Sequence, residues 1–222
     1  MVYDFHLHSS LSGDAELGPV ELARRAIVAG YRAFAITDHA ALGTVPRVVA
    51  ELRADVELAR SEWGVPIFAG VELTHVPASA VERCAREARD AGAEIVICHG
   101  ETVAEPVQPG TNIAAIQCGL VDVLAHPGLL TVEDAHEAAR RGVFLELSSK
   151  PAHAVANGRV ARVTKEADAA LLVNSDNHLF DFLSEQRCRD VVLGAGLNEQ
   201  DLDAILRVNP ERLLRRLGLA VP

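Results

Sequence analysis

The chain has 222 residues, 49% of them hydrophobic, and a formal net charge of −10. That length and apolar content suit a single α/β domain with a large core, and the acidic balance argues against the extended cationic surface that nucleic acid requires. No apolar run reaches the roughly 18 residues of a membrane span, and no basic-then-apolar leader is visible, so a cytoplasmic protein without membrane association is expected.

Strands are predicted at 2–8, 32–39, 66–73, 94–100, 121–127, 142–149 and 170–178. Between them, 19–30, 47–64, 78–92, 111–119, 131–142 and 154–169 have helical composition, and helices at 180–194 and 198–217 follow. Pro19 suits a first helical turn, and Thr131 followed by Asp134 reads as an N-cap with an acidic first turn. Alternation of this kind implies parallel strands joined by crossover helices. The four cysteines (Cys84, Cys98, Cys118 and Cys188) form no C-x-x-C pair, so they are expected to be reduced and structural.

The first strand ends in D-F-H-L-H-S, residues 4–9. Side chains at i and i+2 of a strand share a face, so the rings of His6 and His8 converge. His39, His99, His126 and His178 fall at or just beyond the ends of other strands. Glu72 ends the third strand and Asp176 the seventh, and Asp14 lies in the loop after the first. In a closed barrel every strand's C-terminal end opens onto one face, whereas distant strands of an open sheet cannot share a site. The placement therefore favours a closed or nearly closed barrel. Imidazole with carboxylate suits Zn, Mn or Fe, and these residues outnumber what one ion can use. Two to three divalent metal ions with a bridging carboxylate are expected, a set suited to hydrolysing phosphate esters. No P-loop, dinucleotide fingerprint or G-x-S-x-G elbow competes with that chemistry. His75, His136 and His153 are read as ordinary histidines, although His75 and His153 lie in loops near the expected mouth.

With S-G-D (12–14), A-I-T-D-H (35–39), G-V-E (70–72), C-H-G (98–100), A-H-P (125–127) and S-D-N-H (175–178), the opening motif resembles the signature of the PHP family, named for polymerase and histidinol phosphatase. The resemblance runs along the whole chain. It implies a distorted (β/α)7 barrel as a single domain over 1–222, and a trinuclear metal centre. Carried over, it implies one metal on His6, His8, Glu72 and Asp176. A second would share Glu72 with His99 and His126, and a third would use Asp14, His39 and His178. A metal-bound hydroxide held by Glu72 and Asp176 would attack phosphorus. Asp38 is expected to orient a neighbouring ligand, the other reading being a helix N-cap. Glu146 and Ser148 close the sixth strand and face the mouth.

A phosphate needs cationic or N–H partners for its non-reacting oxygens, and Lys150 and Arg159 are the candidates. Arg187 is a more distant one. The loop 101–111 is read as part of the rim. The expected activity is a metal-dependent phosphoesterase acting as a phosphomonoesterase on a small phosphorylated substrate: histidinol phosphate, or another sugar or nucleotide phosphate. The rivals are a nuclease or cyclic phosphodiesterase, a non-catalytic barrel subunit of an RNA-processing complex, and a metal-dependent amidohydrolase. Oligomeric state is open, its one hint being the apolar segment 213–222.

Overall fold

A computed structural model describes residues 1–219. Seven strands run parallel and pair in chain order. They are β1 (Val2–Leu7), β2 (Tyr31–Ala40), β3 (Ile67–Leu73), β4 (Ile95–His99), β5 (Val123–Ala125), β6 (Phe144–Ser148) and β7 (Leu171–Asn174). The helices α1 (Pro19–Val28), α2 (Val45–Trp63), α3 (Val81–Asp90), α4 (Thr111–Gln117) and α5 (Val132–Arg141) make the crossovers from β1 to β6. After β6 come the short α6 (Pro151–Ala154) and then α7 (Asn157–Ala167). Two more helices, α8 (Glu185–Gly194) and α9 (Asn209–Arg216), follow β7. The barrel is nearly closed. Between β7 and β1 the seam is held by a single bridge, Leu7 to Asn177, and by the Asn174 side chain, whose Oδ1 accepts the Phe5 N–H at 2.9 Å. Seven parallel strands with helices outside make this the distorted (β/α)7 barrel expected from the sequence.

Two apolar layers build it. The larger lies between strands and helices; the smaller fills the barrel and includes Phe5, Phe68, Ile95, Ile97, Phe144 and Leu172. Every second residue of a strand faces inward, and several inner rows start apolar and end polar. Phe68 and Gly70 lead to Glu72, Ile95 and Ile97 lead to His99, and Phe144 leads to Glu146. Strand β1 needs a correction to reach this pattern. Its pairing with β2 slips between Asp4 and Leu7, so Tyr3 and Phe5 face the inner cluster while Leu7 packs outward. The irregularity turns His6 and His8 inward. Gly70 is required by proximity: a Cβ there would lie 2.4 Å from Ile95 Cγ2 and 2.5 Å from the Ile95 carbonyl oxygen.

Several predicted helices are shorter than their composition suggests. The stretch 180–184 stays irregular because Ser184 caps α8, its side chain accepting the Arg187 N–H. The expected helix 198–217 divides into a 3-10 turn, a π turn (Ala204–Val208) and α9. Pro210 has no N–H to donate back along the helix, which fits a wider turn just before it. Leu213 and Leu214 of α9 join the inner cluster, so the segment starting at 213 packs on the barrel, and residues 220–222 lie outside the described residues. No helix among the described residues is long and apolar enough to cross a membrane. The four cysteines are free.

Candidate metal centre

The rows of polar residues meet at the C-terminal mouth. Glu72, fully buried, stands at the centre. Its Oε1 lies 3.3 Å from His6 Nε2 and 3.4 Å from His126 Nε2, and its Oε2 lies 2.7 Å from His39 Nδ1. Asp176 Oδ1 lies 3.3 Å from His8 Nε2 and 3.9 Å from His6 Nε2. Asp14 Oδ2 lies 3.4 Å from the Nε2 atoms of both His39 and His178, which are 3.2 Å apart. Donor atoms of Glu72, His99 and His126 lie within 4.8 Å of one another, as do those of His6, His8 and Asp176. All nine residues proposed as ligands from the sequence are brought to one mouth.

Around the rings, the hydrogen bonds leave lone pairs pointing inward. His6 Nδ1–H donates to Glu146 Oε2 at 2.8 Å, and His99 Nδ1–H donates to the Gly100 carbonyl at 3.0 Å. Ser12 Oγ gives its proton to Asp38 and accepts from His8 Nδ1–H at 3.0 Å. Each ring is thereby held with its proton on Nδ1 and Nε2 free to bind a cation. The buried atoms His6 Nε2, His8 Nε2 and Glu72 Oε1 have no hydrogen-bond partner. Orphaned buried polar atoms are costly, and here they face one another. This donor set fits divalent cations.

Electrostatics agree with that fit. Burial opposes ionisation of Glu72, yet His6 and His126 and their neighbours outweigh it and hold the carboxyl well below its usual range. Asp176 behaves alike, with burial overcome by His6 and His8. The anionic carboxylates in turn raise His6 well above an ordinary imidazole, against its own burial, so in the metal-free protein a proton occupies the place that a cation would take on binding. Burial is the largest influence on His99 and lowers it, favouring the neutral ring that binds metal.

Asp38 does not touch a ligand ring. It accepts from Ser9 N–H at 2.6 Å and from Ser12 Oγ at 2.7 Å, and Ser12 carries the effect to His8. Lys150 reaches the centre, its Nζ 3.2 Å from Asp176 Oδ2. Arg159 does not: its Nε donates to the Leu130 carbonyl at 2.8 Å, and it lines neither cavity at the mouth. Its side chain is committed to fastening α7 to the loop after β5. Arg187, on α8, donates to the Ser149 carbonyl and lines a second cavity, of about 480 Å³, beside Lys150. His136 is exposed on α5.

Three residues gain importance that the sequence did not give them. His153 is buried, 3.3 Å from Asp176 Oδ2 and stacked on His126. His75 and Glu105 line the cavity over the ligand cluster, of about 370 Å³. Backbone conformation marks His75 as well. His75, His126 and Asp176 all have positive φ, a conformation uncommon outside glycine that His and Asp adopt more readily than most residues.

The PHP-domain family profile matches residues 4–186. The chain belongs to the PHP family. It is 40% identical over 219 residues, 98% of its own length and 100% of the relative's, to the uncharacterized protein MJ1295 of Methanocaldococcus jannaschii. Among solved structures it is similar to a histidinol phosphate phosphatase from Lactococcus lactis in complex with zinc, L-histidinol and phosphate. That likeness has a TM-score of 0.65 at 17% identity, covering 89% of this PHP chain and 94% of the other. It is also similar to a chain in an archaeal ribonuclease P bound to mature tRNA, with a TM-score of 0.61 at 14% identity, covering 99% and 97%. At such identities the two structures speak for the shared barrel alone.

Proposed function

We propose that this PHP-family protein is a metal-dependent phosphoesterase, a phosphomonoesterase acting on a small phosphorylated substrate such as histidinol phosphate or a sugar or nucleotide phosphate. The observation that carries the proposal is the position of Glu72. Its Oε1 faces both His6 and His126 and its Oε2 faces His39, so one buried carboxylate would be shared by cations held on those rings. Cations held there would supply positive charge to phosphoryl oxygens and acidify water near neutral pH. The chain's own residues do the rest. Glu146, Ser12 and the Gly100 carbonyl fix the ring orientations of His6, His8 and His99. Lys150 offers an ammonium to a non-reacting phosphate oxygen beside Asp176. The cavity of about 370 Å³ matches a small ester.

The test is elemental analysis of protein purified without chelator, with p-nitrophenyl phosphate turnover on the same sample. The expected result is two to three Zn, Mn or Fe ions per chain and turnover abolished by chelation. Neither metal nor turnover after adding Mn or Zn would overturn the proposal in favour of a non-catalytic barrel subunit. Faster turnover of short oligonucleotides or cyclic phosphates than of monoesters would favour the nuclease or cyclic phosphodiesterase.

A further inference from the structure

The loop between β4 and α4 is clasped at its neck. Glu101 Oε1 accepts the N–H groups of Gly110 and Asn112 at 3.0 and 2.9 Å. Asn112 Oδ1 accepts the Glu101 N–H at 2.9 Å, and its Nδ2 donates to the Pro127 carbonyl at 2.8 Å. The far side is tied down as well, because Gln108 Oε1 accepts the Ala78 N–H at 2.9 Å. A loop fixed at both sides holds its side chains in place, and the one it holds over the mouth is Glu105.

Glu105 Oε2 lies 3.1 Å from His99 Nε2 and 3.1 Å from His75 Nε2, and Oε1 lies 3.7 Å from His153 Nε2. His99 has its proton on Nδ1, bonded to the Gly100 carbonyl. Its Nε2 therefore presents a lone pair to a carboxylate oxygen. Two electron-pair donors at that distance attract only through positive charge between them, a bound cation or a proton on Nε2. Donor atoms of His75, His99 and Glu105 lie within 4.8 Å of one another, next to the group of Glu72, His99 and His126.

We propose that Glu105 is a further ligand of the second cation, joining Glu72, His99 and His126, carried by a clamped loop and not by a barrel strand. The proposal rests on the metal centre described above. It would bring that cation from three protein ligands to four, the number that closes a tetrahedral zinc shell. Glu105 is also 38% exposed where Glu72 is fully buried, which makes it the ligand best placed to yield to an incoming substrate oxygen.

The experiment strips the full chain with chelator and titrates it with Mn(II), and separately with Zn(II), by calorimetry, counting bound ions by elemental analysis. Parent, Glu105→Ala, Glu105→Gln and His99→Ala are compared. Both Glu105 variants should bind one ion roughly 10- to 100-fold more weakly, the range seen when groups that support a metal are removed, with the remaining ions unaffected. Glu105→Gln removes only charge from an exposed loop, so loss of folding does not confuse the result. Unchanged affinities in both Glu105 variants, while His99→Ala loses an ion, would overturn the role of Glu105 and leave the metal centre standing. If the parent binds no ion, or His99→Ala binds like the parent, the metal centre itself is wrong and the proposal falls with it.

Discussion

His6 Nδ1 donates to Glu146 Oε2 at 2.8 Å, and both side chains are fully buried. Glu146 also accepts the His126 N–H and the Asn174 side-chain amide. One carboxylate thus orients a ligand ring, the backbone of a second ligand and the side chain that closes the barrel seam. Glu146→Ala should weaken metal binding roughly 10- to 100-fold, while Glu146→Gln, which retains an acceptor for His6, should lose less. Calorimetric titration with Mn(II) measures both, and equal losses in the two variants would deny Glu146 its orienting role.

His99→Ala should separate activity from stability. The side chain ends an inner row at the rim of a large core, so its removal costs metal-free protein only about 1 kcal/mol. Phosphomonoester turnover should fall by about 100-fold or more, as one cation is lost. Urea unfolding beside p-nitrophenyl phosphate kinetics makes the comparison. Turnover within a few-fold of the parent would refute the assignment of the second cation.

Lys150 lies beside Asp176 and lines both cavities at the mouth. Lys150→Ala should raise KM for a phosphomonoester by about 10-fold, the equivalent of one charge-assisted hydrogen bond of roughly 1.5 kcal/mol. Steady-state kinetics decide it, and an unchanged KM removes Lys150 from the site.

Asp4 is buried beneath the centre and accepts from the N–H groups of His6 and Ser175 and from the Tyr31 hydroxyl. Burial pushes its pKa from 3.8 to about 7. The folded chain therefore retains a proton that the unfolded chain releases. This contribution to stability is complete below the unfolded value and is lost as pH rises towards about 7. Asp4→Asn carries no such titration. Measured by urea unfolding of metal-free protein, its stability relative to the parent should rise by a few kcal/mol between pH 4 and 7. A difference that stays flat with pH would show that Asp4 is ionised in the folded protein.

Much of the architecture was legible because periodicity is a local property. The alternation of β-branched runs with Ala- and Arg-rich helices implied parallel strands, and polar residues at the ends of apolar strands implied a shared mouth. Strand ends and helix breaks were less legible. Strand β7 stops at Asn174, before Asp176 and His178, and beyond it only the isolated bridge of Asn177 to Leu7 continues the backbone pairing. The Pro210 break and the Ser184 cap are local signals, and a run of helical composition concealed them.

By itself the sequence determined which residues could bind metal, because imidazole and carboxylate are fixed by residue type and strand parity fixes the face they share. Only the tertiary structure decided how those residues pair and what supports them. Glu105 and His75 come from separate loops, and Glu146 meets His6 across 140 positions of sequence. No spacing rule reaches that far; the contacts exist because barrel closure and the clasped loop bring distant segments within hydrogen-bonding distance.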